Sequence, residues 1–444
     1  MDGIWQFLEQ VNPFGGLPIP IQVLFFLALT FTLIQLLLMF TLAMLGIREE
    51  RRPQPDVLES HFLWVFMVPA LNEEVTIGDT VARLEQVRVT NKVFMVINDG
   101  STDRTGEILA AHPSSALQVL TRVPPEARKG KAAALNNAWR DVRAALAGSH
   151  LREFGEERTL VVIVDADGRL DPGFAEGVAR HFGDPRVGGV QMAVRIYNRQ
   201  HPLTYMQDLE FRVFGSTYQL GRAYWGTAGM GGNGQINRLS ALTQIGDANI
   251  EAGDADGPWR HRLTEDQDLG LSLFATGWLC KQEMGHAVDQ QGLSSFRRLF
   301  RQRVRWCQGN MQAMARMNVF PPAQVARIAK VDGVYWLLQP VIQSLIGIST
   351  ITAVILAVFF TSSVVPDINM WIFIALMFLA FGGTAIGVLR AGSTRGLAGF
   401  AKAILLILPY ALYCWSLVPI YAVAGYRQLR RRDNWAKTAR EAIS

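Results

Sequence analysis

A chain of 444 residues, half of them hydrophobic and only 18% charged, exceeds one ordinary domain. It is too oily for a purely soluble enzyme and too charged for a bare membrane bundle. Its formal net charge of +5 comes without a Lys/Arg run interleaved with aromatics, which argues against nucleic acid as a partner, and Cys280, Cys307 and Cys414 lack the spacing of a zinc site or a disulfide framework.

Residues 1–52 read as an interface segment, with Trp5, Phe7 and Phe14 among polar residues, followed by a membrane helix. The uncharged run from Ile19 to Ile47 can cross a bilayer core of roughly 30 Å. It is too long for a signal-peptide core and has no basic stretch ahead of it, so cleavage is not expected. Arg48, Arg51 and Arg52 follow at once, which places that end in the cytoplasm. Residues 53–290 change to the pattern of a soluble α/β domain. Apolar runs at 62–68, 92–97, 159–164 and 188–194 alternate with stretches of helical period. Such runs predict a mainly parallel sheet covered on both faces, with ligands at the carboxyl ends of the strands.

Residues 291–330 form a basic amphipathic stretch suited to a membrane surface carrying anionic headgroups. Residues 331–426 turn apolar again, with candidate spans at 334–360, 370–389 and 397–424. The loop 362–369 has no Lys or Arg and should face outside, whereas Arg390 and Arg395 should face the cytoplasm. A third crossing would then export the basic tail 427–444, although Arg427, Arg430, Arg431 and Arg432 argue that it stays inside. Pro409 and Pro419 mark the last stretch as broken or re-entrant.

Five segments carry chemistry. Asn72-Glu73-Glu74 follows the first apolar run, where a nucleotide could dock, although acids at a helix start read equally well there. Asn98-Asp99-Gly100 ends the second run. Asp99 would face the same cleft and could accept hydrogen bonds from a base or ribose. Val161–Val164 runs into Asp165-Ala166-Asp167, two carboxylates on one rim that can share a sugar nucleotide and a hard cation, Mg²⁺ or Mn²⁺. Thr264-Glu265-Asp266 precedes an apolar helical pattern and reads also as a capped helix start. Gln302 and Arg305 fall one helical turn apart, able to grip a diphosphate, and Trp306 could stack on a sugar ring. The glycine-rich run Gly229 to Gly234 matches GxGxxG but follows no clear strand, so the dinucleotide reading fails. Gly232, Asn233 and Arg238 are instead candidates for contact with an acceptor sugar. The seven histidines show no metal spacing; His286 lies nearest the motifs.

In this order, the segments resemble the processive inverting glycosyltransferases that make cellulose, chitin, hyaluronan and poly-N-acetylglucosamine. That resemblance implies a cytoplasmic α/β catalytic domain of GT-A (Rossmann-like) type, flanked by transmembrane and interface helices in the plasma membrane. It implies a nucleotide-sugar donor, UDP-linked, and a growing polysaccharide acceptor. By resemblance Asp266 is the catalytic base, and Lys131, within Arg128-Lys129-Gly130-Lys131, is a donor-site lysine. Asp99 would meet the base, Asp165 and Asp167 the donor and metal, Gln302 and Arg305 the diphosphate, and Trp306 the acceptor. Trp435-Ala436-Lys437-Thr438-Ala439-Arg440 is similar to a C-terminal motif of these synthases. A departure is the acceptor loop, where Met230-Gly231-Gly232-Asn233-Gly234 replaces the family's aromatic-Cys-Gly-x-Gly. Two rivals stand beside this reading. A transferase of single sugars to polyprenyl phosphate shares the first three motifs but needs no Gln-x-x-Arg-Trp. A transporter with a nucleotide-binding domain would need more spans and ionisable residues at mid-membrane.

Overall fold

The β-branched and aromatic runs become strands because both of their faces are covered. In the computed structural model, which describes residues 14, 16–114, 116–148, 150–319, 326–360, 367–381, 385–392 and 396–431, eight strands form one sheet. They are β1 (Leu63–Ala70), β2 (Lys92–Asn98), β3 (Leu117–Thr121), β4 (Thr159–Ile163), β5 (Arg169–Leu170), β6 (Val187–Ile196), β7 (Gln235–Arg238) and β8 (Leu279–Gln290). Their spatial order is β3-β2-β1-β4-β7-β6-β8-β5. Strands β1 to β4 run parallel, as do β6 and β8. The expectation of a mainly parallel sheet is corrected at β7, which runs antiparallel to both β4 and β6, and at β5, antiparallel to β8.

One face of the sheet packs on helices Lys131–Gly148, Leu239–Glu251 and Glu265–Ala275 through Met67, Met95, Trp139, Leu242 and Leu271. The other packs on Ile77–Glu85 and Phe174–His181, with Trp64 edge-on to Phe174 at 5.4 Å. Each fully buried side chain of this size stabilises by roughly 1.5–3 kcal/mol. The layers hold β1, β2 and β4 so that their carboxyl ends open side by side. Asp99 and Asp165 stand there, just beyond their strands.

By length and composition, three helices can cross a membrane: Ile19–Glu50, Arg327–Phe359 and Leu397–Leu429. A fourth candidate is the pair Met370–Phe381 and Ala385–Gly392, bent by 42°. Two buried ion pairs tie these helices to the α/β domain. Lys281 Nζ, on β8, lies 2.8 Å from Glu49 Oε1, and Arg222 Nε lies 2.6 Å from Asp332 Oδ2. Removing one partner of such a pair strands a charge and costs about 3–5 kcal/mol. Trp5, Phe7 and the Trp435–Arg440 motif lie outside the described residues. Phe14 is buried among Phe25, Phe26 and Phe373 rather than spread on an interface.

The last stretch is broken at one of its two prolines. Pro409 stays inside the helix Leu397–Ser416, and the break falls at Leu417 and Val418, so that Pro419 opens the helix Pro419–Leu429 in the first turn, where proline is tolerated. Tyr410 and Tyr413 of the first helix pack on Leu209 and Val213 of helix Pro202–Val213. Ile420 and Ala424 of the second pack on Val304 of helix Phe296–Ala313.

Candidate active site

Asp99 sits buried after β2, where its Oδ1 accepts from Arg122 at 2.5 Å and from the backbone N–H of Arg128 at 3.0 Å. The carboxylate is thereby fixed facing the cleft. Arg122, just beyond edge strand β3, is a partner that nothing in its local sequence announced. Asn72, expected at the donor, does something else. It adopts φ +53°, and its Oδ1 accepts from the N–H of Thr102 at 2.8 Å, pinning the loop beyond Asp99. Its side chain is exposed and does not line the cleft, whereas Glu73 does.

Asp165 and Asp167 follow β4 as expected. Lys131, at the start of its helix, places Nζ 2.7 Å from Asp165 Oδ1 and 3.7 Å from Glu265 Oε1. Asp167 Oδ2 accepts from the N–H of Gln291 at 3.3 Å. Asp266 stands in the first turn of helix Glu265–Ala275. Thr264 occupies the cap position, but its hydroxyl donates to Gln267 Oε1 at 3.3 Å instead of capping. Four carboxylates (Asp165, Asp167, Glu265 and Asp266) thus share this rim with one ammonium. Burial opposes the charge on Lys131, but Asp165 and Glu265 outweigh it and hold its pKa above the usual lysine value. Desolvation, and then the charge of Glu265, push the Asp266 carboxyl up to about 7, while Lys131 pulls the other way.

This surplus of hard oxygen ligands fits a divalent cation. Among the described residues no three His, Cys, Asp or Glu side chains converge on one point. Asp165 and Asp167 would therefore hold such an ion with part of its shell supplied by another group, as a diphosphate can do.

The glycine-rich loop is better explained by what a side chain would strike. Gly232 has φ +81°, and a Cβ there would lie 2.8 Å from Asp266 Oδ2 and 3.5 Å from Lys131 Nζ. Gly232→Ala is expected to slow turnover roughly a hundredfold, the scale of a displaced reacting group, with strain of only about 1 kcal/mol in the fold. Steady-state rates beside a thermal melt check this; an unchanged rate would mean that the carboxylate can move without consequence. Asn233 serves the neighbouring loop. Its Oδ1 accepts from the N–H of Asp165 at 3.1 Å, and its Nδ2 donates to Gln290 at 3.2 Å, so it holds the Asp-x-Asp turn although it also lines the cleft.

Arg238 is the residue the sequence misplaced. Through β7 it pairs with Leu160, at the far end of β4 from Asp165. It is buried there over the ring of Phe182, and its guanidinium donates to the carbonyls of Glu157, Phe182, Asp184 and Val187. His286 also lies apart, beside Glu283 at 3.7 Å.

Gln302, Arg305 and Trp306 lie on helix Phe296–Ala313, held against the Asp266 helix by Gln267 donating to Asn310 at 2.9 Å. Gly309 permits the approach, since a Cβ there would meet Thr264 Oγ1 at 2.5 Å. One cavity of about 660 Å³ joins these elements. Its walls include Glu73, Asp99, Lys131, Asp165, Asp167, Asn233, Asp266, Gln302, Arg305 and Trp306. The same cavity continues between the apolar helices, along Phe214, Trp336, Pro340, Leu417, Ile420 and Tyr421. Sequence reasoning missed that second wall, and it missed Glu265, although the acid adjoins Asp266 in the same motif.

Comparison with known proteins places these features in a family. The family model described as "Glycosyl transferase family group 2" matches residues 160–424, and that described as "Glycosyl transferase family 2" matches residues 65–246. The beta-monoglucosyldiacylglycerol synthase of Nostoc sp. (strain PCC 7120) is 30% identical over 251 residues, 55% of this chain and 48% of that protein. The poly-beta-1,6-N-acetyl-D-glucosamine synthase of Staphylococcus aureus (strain COL) is 24% identical over 273 residues, 61% of this chain and 60% of that protein. The chain spans about half the length of the first of these relatives. Among solved structures, a mannosyltransferase from Pyrobaculum calidifontis in complex with GDP-Man and Mn²⁺ superposes with a TM-score of 0.52 at 17% identity, over 92% of this chain and 99% of that one. That likeness establishes the GT-A-type fold.

Proposed function

We propose, since this chain belongs to glycosyl transferase family group 2, that it is a membrane-bound polysaccharide synthase. It would transfer sugar from a UDP-linked donor to the growing end of a β-linked polymer, with inversion. The observation that carries this reading is the single cavity shared by the Asp-x-Asp, Thr-Glu-Asp and Gln-x-x-Arg-Trp segments and by the walls of the apolar helices.

In this reading Asp99 accepts hydrogen bonds from the nucleoside, and Glu73 lines the same end of the cleft. Lys131, Gln302 and Arg305 hold the diphosphate. Asp165 and Asp167 would hold Mg²⁺ or Mn²⁺, which when bound offsets charge on the leaving diphosphate. Asp266 takes the proton of the acceptor hydroxyl as that oxygen bonds to the anomeric carbon and the carbon–oxygen bond to the diphosphate breaks. Attack from the face opposite the leaving group turns an α-linked donor into a β-linked product. Arg305 adds fixed positive charge where negative charge grows. Gly232 keeps the space beside Asp266 clear, and Trp306 offers its face to the acceptor sugar. The catalytic domain sits on the cytoplasmic side of the plasma membrane, in a multi-pass chain whose basic clusters follow the positive-inside bias.

A second reading is favoured by the apolar wall at Trp336, Leu417 and Ile420, which would suit the chain of a lipid acceptor receiving one sugar. One experiment separates the two. The purified membrane protein is incubated with a panel of radiolabelled nucleotide sugars, and product is divided into solvent-extractable lipid and size-fractionated polymer. Long β-linked chains are expected, with UDP-linked donors preferred. Label confined to lipid carrying one sugar would overturn the polymer reading, and no transfer from any nucleotide sugar would overturn both.

A further inference from the structure

Three side chains from three different helices meet beside the Trp306 ring. Glu210 comes from Pro202–Val213, Arg303 from Phe296–Ala313 and Tyr413 from Leu397–Ser416. The Arg303 guanidinium donates to Glu210 Oε2 at 2.7 Å, and the Tyr413 hydroxyl donates to the same oxygen at 2.7 Å. Arg303 and Tyr413 are buried and Glu210 is half-buried. The guanidinium carbon also lies 4.2 Å from the centre of the Trp306 ring and 5.6 Å from that of Phe211. Phe211 in turn meets Trp306 edge-on at 6.3 Å.

A buried arginine needs a paired acceptor, because its desolvation is otherwise uncompensated. Here Glu210 Oε2 takes up Nη2 at the rim of the planar group, which leaves the face of the guanidinium to stack on the indole. The arrangement has a direction. The helix Leu397–Ser416 fixes Glu210 through Tyr413, Glu210 fixes Arg303, and Arg303 with Phe211 fixes the plane of Trp306. Tyr413 is not part of the cavity wall, and its hydroxyl meets that wall through Glu210, which lines the cavity together with Arg303.

We infer that Glu210, Arg303 and Tyr413 are positioning residues that set the Trp306 indole as a sugar platform and couple it to the helix Leu397–Ser416. The inference rests on the proposed reading that Trp306 faces an acceptor sugar. It goes beyond the Gln-x-x-Arg-Trp motif by giving work to the motif's second residue and to two residues distant in sequence.

The test measures two rates on each full-length variant: label entering long chains, and nucleoside diphosphate released by attack of water. Tyr413→Phe removes one hydroxyl and is expected to lower elongation about tenfold or more, the effect of one hydrogen bond to a charged group. Release by water should stay within about twofold, since the diphosphate grip is intact. In a Trp306→Ala background, which itself harms elongation more than release, Tyr413→Phe should have no further effect, because the two act as one unit. Glu210→Gln, which keeps an accepting oxygen, should retain more elongation than Glu210→Ala. Equal loss of both rates in Tyr413→Phe, or the same loss with Trp306 already gone, would overturn the inference. So would elongation left unchanged by both Tyr413→Phe and Glu210→Ala. A wild-type protein that releases diphosphate yet extends no chain would show instead that the polymer reading has failed, and the inference with it.

Discussion

Asp266→Asn is expected to cut sugar transfer by about 10²–10⁴-fold, the usual contribution of a positioned general base, while donor affinity stays near that of the unaltered protein. The amide has nearly the shape of the carboxyl group, so the helix start at Glu265 and the Gly232 contact survive, but it cannot take the acceptor's proton. The pH profile adds a second handle. Desolvation and the adjacent Glu265 charge raise Asp266 to about 7. Its protonated form is not a base, so kcat/KM should be full above that value and fall as pH drops through it. Glu265→Gln removes an anion that disfavours ionisation, and the acidic limb should therefore move to lower pH. Transfer by Asp266→Asn at more than about a hundredth of the normal rate would remove Asp266 from the base role. A limb that stays in place in Glu265→Gln would show that another group titrates.

Asp167→Ala is expected to abolish the dependence of donor binding on a divalent cation, weakening binding of UDP in the presence of Mn²⁺ on the order of a hundredfold or more. Deleting one of two protein carboxylates from a hard-cation site leaves the ion held mainly by the ligand itself. Titration calorimetry with UDP, with and without Mn²⁺, gives the comparison. In the variant the two curves should coincide. Because Asp167 also accepts from the N–H of Gln291, a thermal melt accompanies the measurement, and a shift of a few degrees is the expected cost of one such bond. A difference between the two curves as large as in the unaltered protein would remove Asp167 from the metal site.

Much of this architecture was legible because physics repeats along the chain. Strands β1, β2 and β4 are continuous apolar runs that end in turns bearing acids, and their parallel packing brings those turns to one rim. The Gln-x-x-Arg-Trp segment was equally readable, since one helical turn carries Gln302 and Arg305 to the same wall. What stayed hidden was polar structure satisfied by distant partners. Strand β7 reads Gln-Ile-Asn-Arg, which no periodicity identifies as core. It is buried because Gln235 donates to Asn237 and Arg238 spends its guanidinium on backbone carbonyls. A loop next to Arg238 suggested an acceptor contact, but the register of β7 with β4 turned that arginine to the opposite end of the sheet. Strand β8 was obscured by Lys281, Gln282, Glu283 and Gly285, residues of poor strand propensity. Lys281 tolerates burial through Glu49, 232 positions away. The apolar half of the cavity was invisible for another reason. In helices that are apolar all round, the side turned to a cavity has the same composition as the side turned to lipid.

The last two helices change how the crossings count. One side of the stretch from Leu406 to Ala424 packs along helices Pro202–Val213 and Phe296–Ala313 of the catalytic half, while Trp415, Val418 and Tyr421 face the apolar bundle. Leu405, Leu408 and Leu412 remain exposed. Although long and apolar enough to cross, a strip wedged in this way would, in the proposed reading, lie in the plane of the leaflet, as a floor joist lies between storeys. Under the proposed orientation, the helices Ile19–Glu50 and Arg327–Phe359 and the bent pair then make an odd number of passages. The chain returns to the side on which the catalytic domain hangs. Arg48, Arg51 and Arg52 and Arg427, Arg430 and Arg431 would then lie on one side of the membrane, with Arg390 paired to Glu50 at 2.9 Å, and the conflict between parity and charge would disappear.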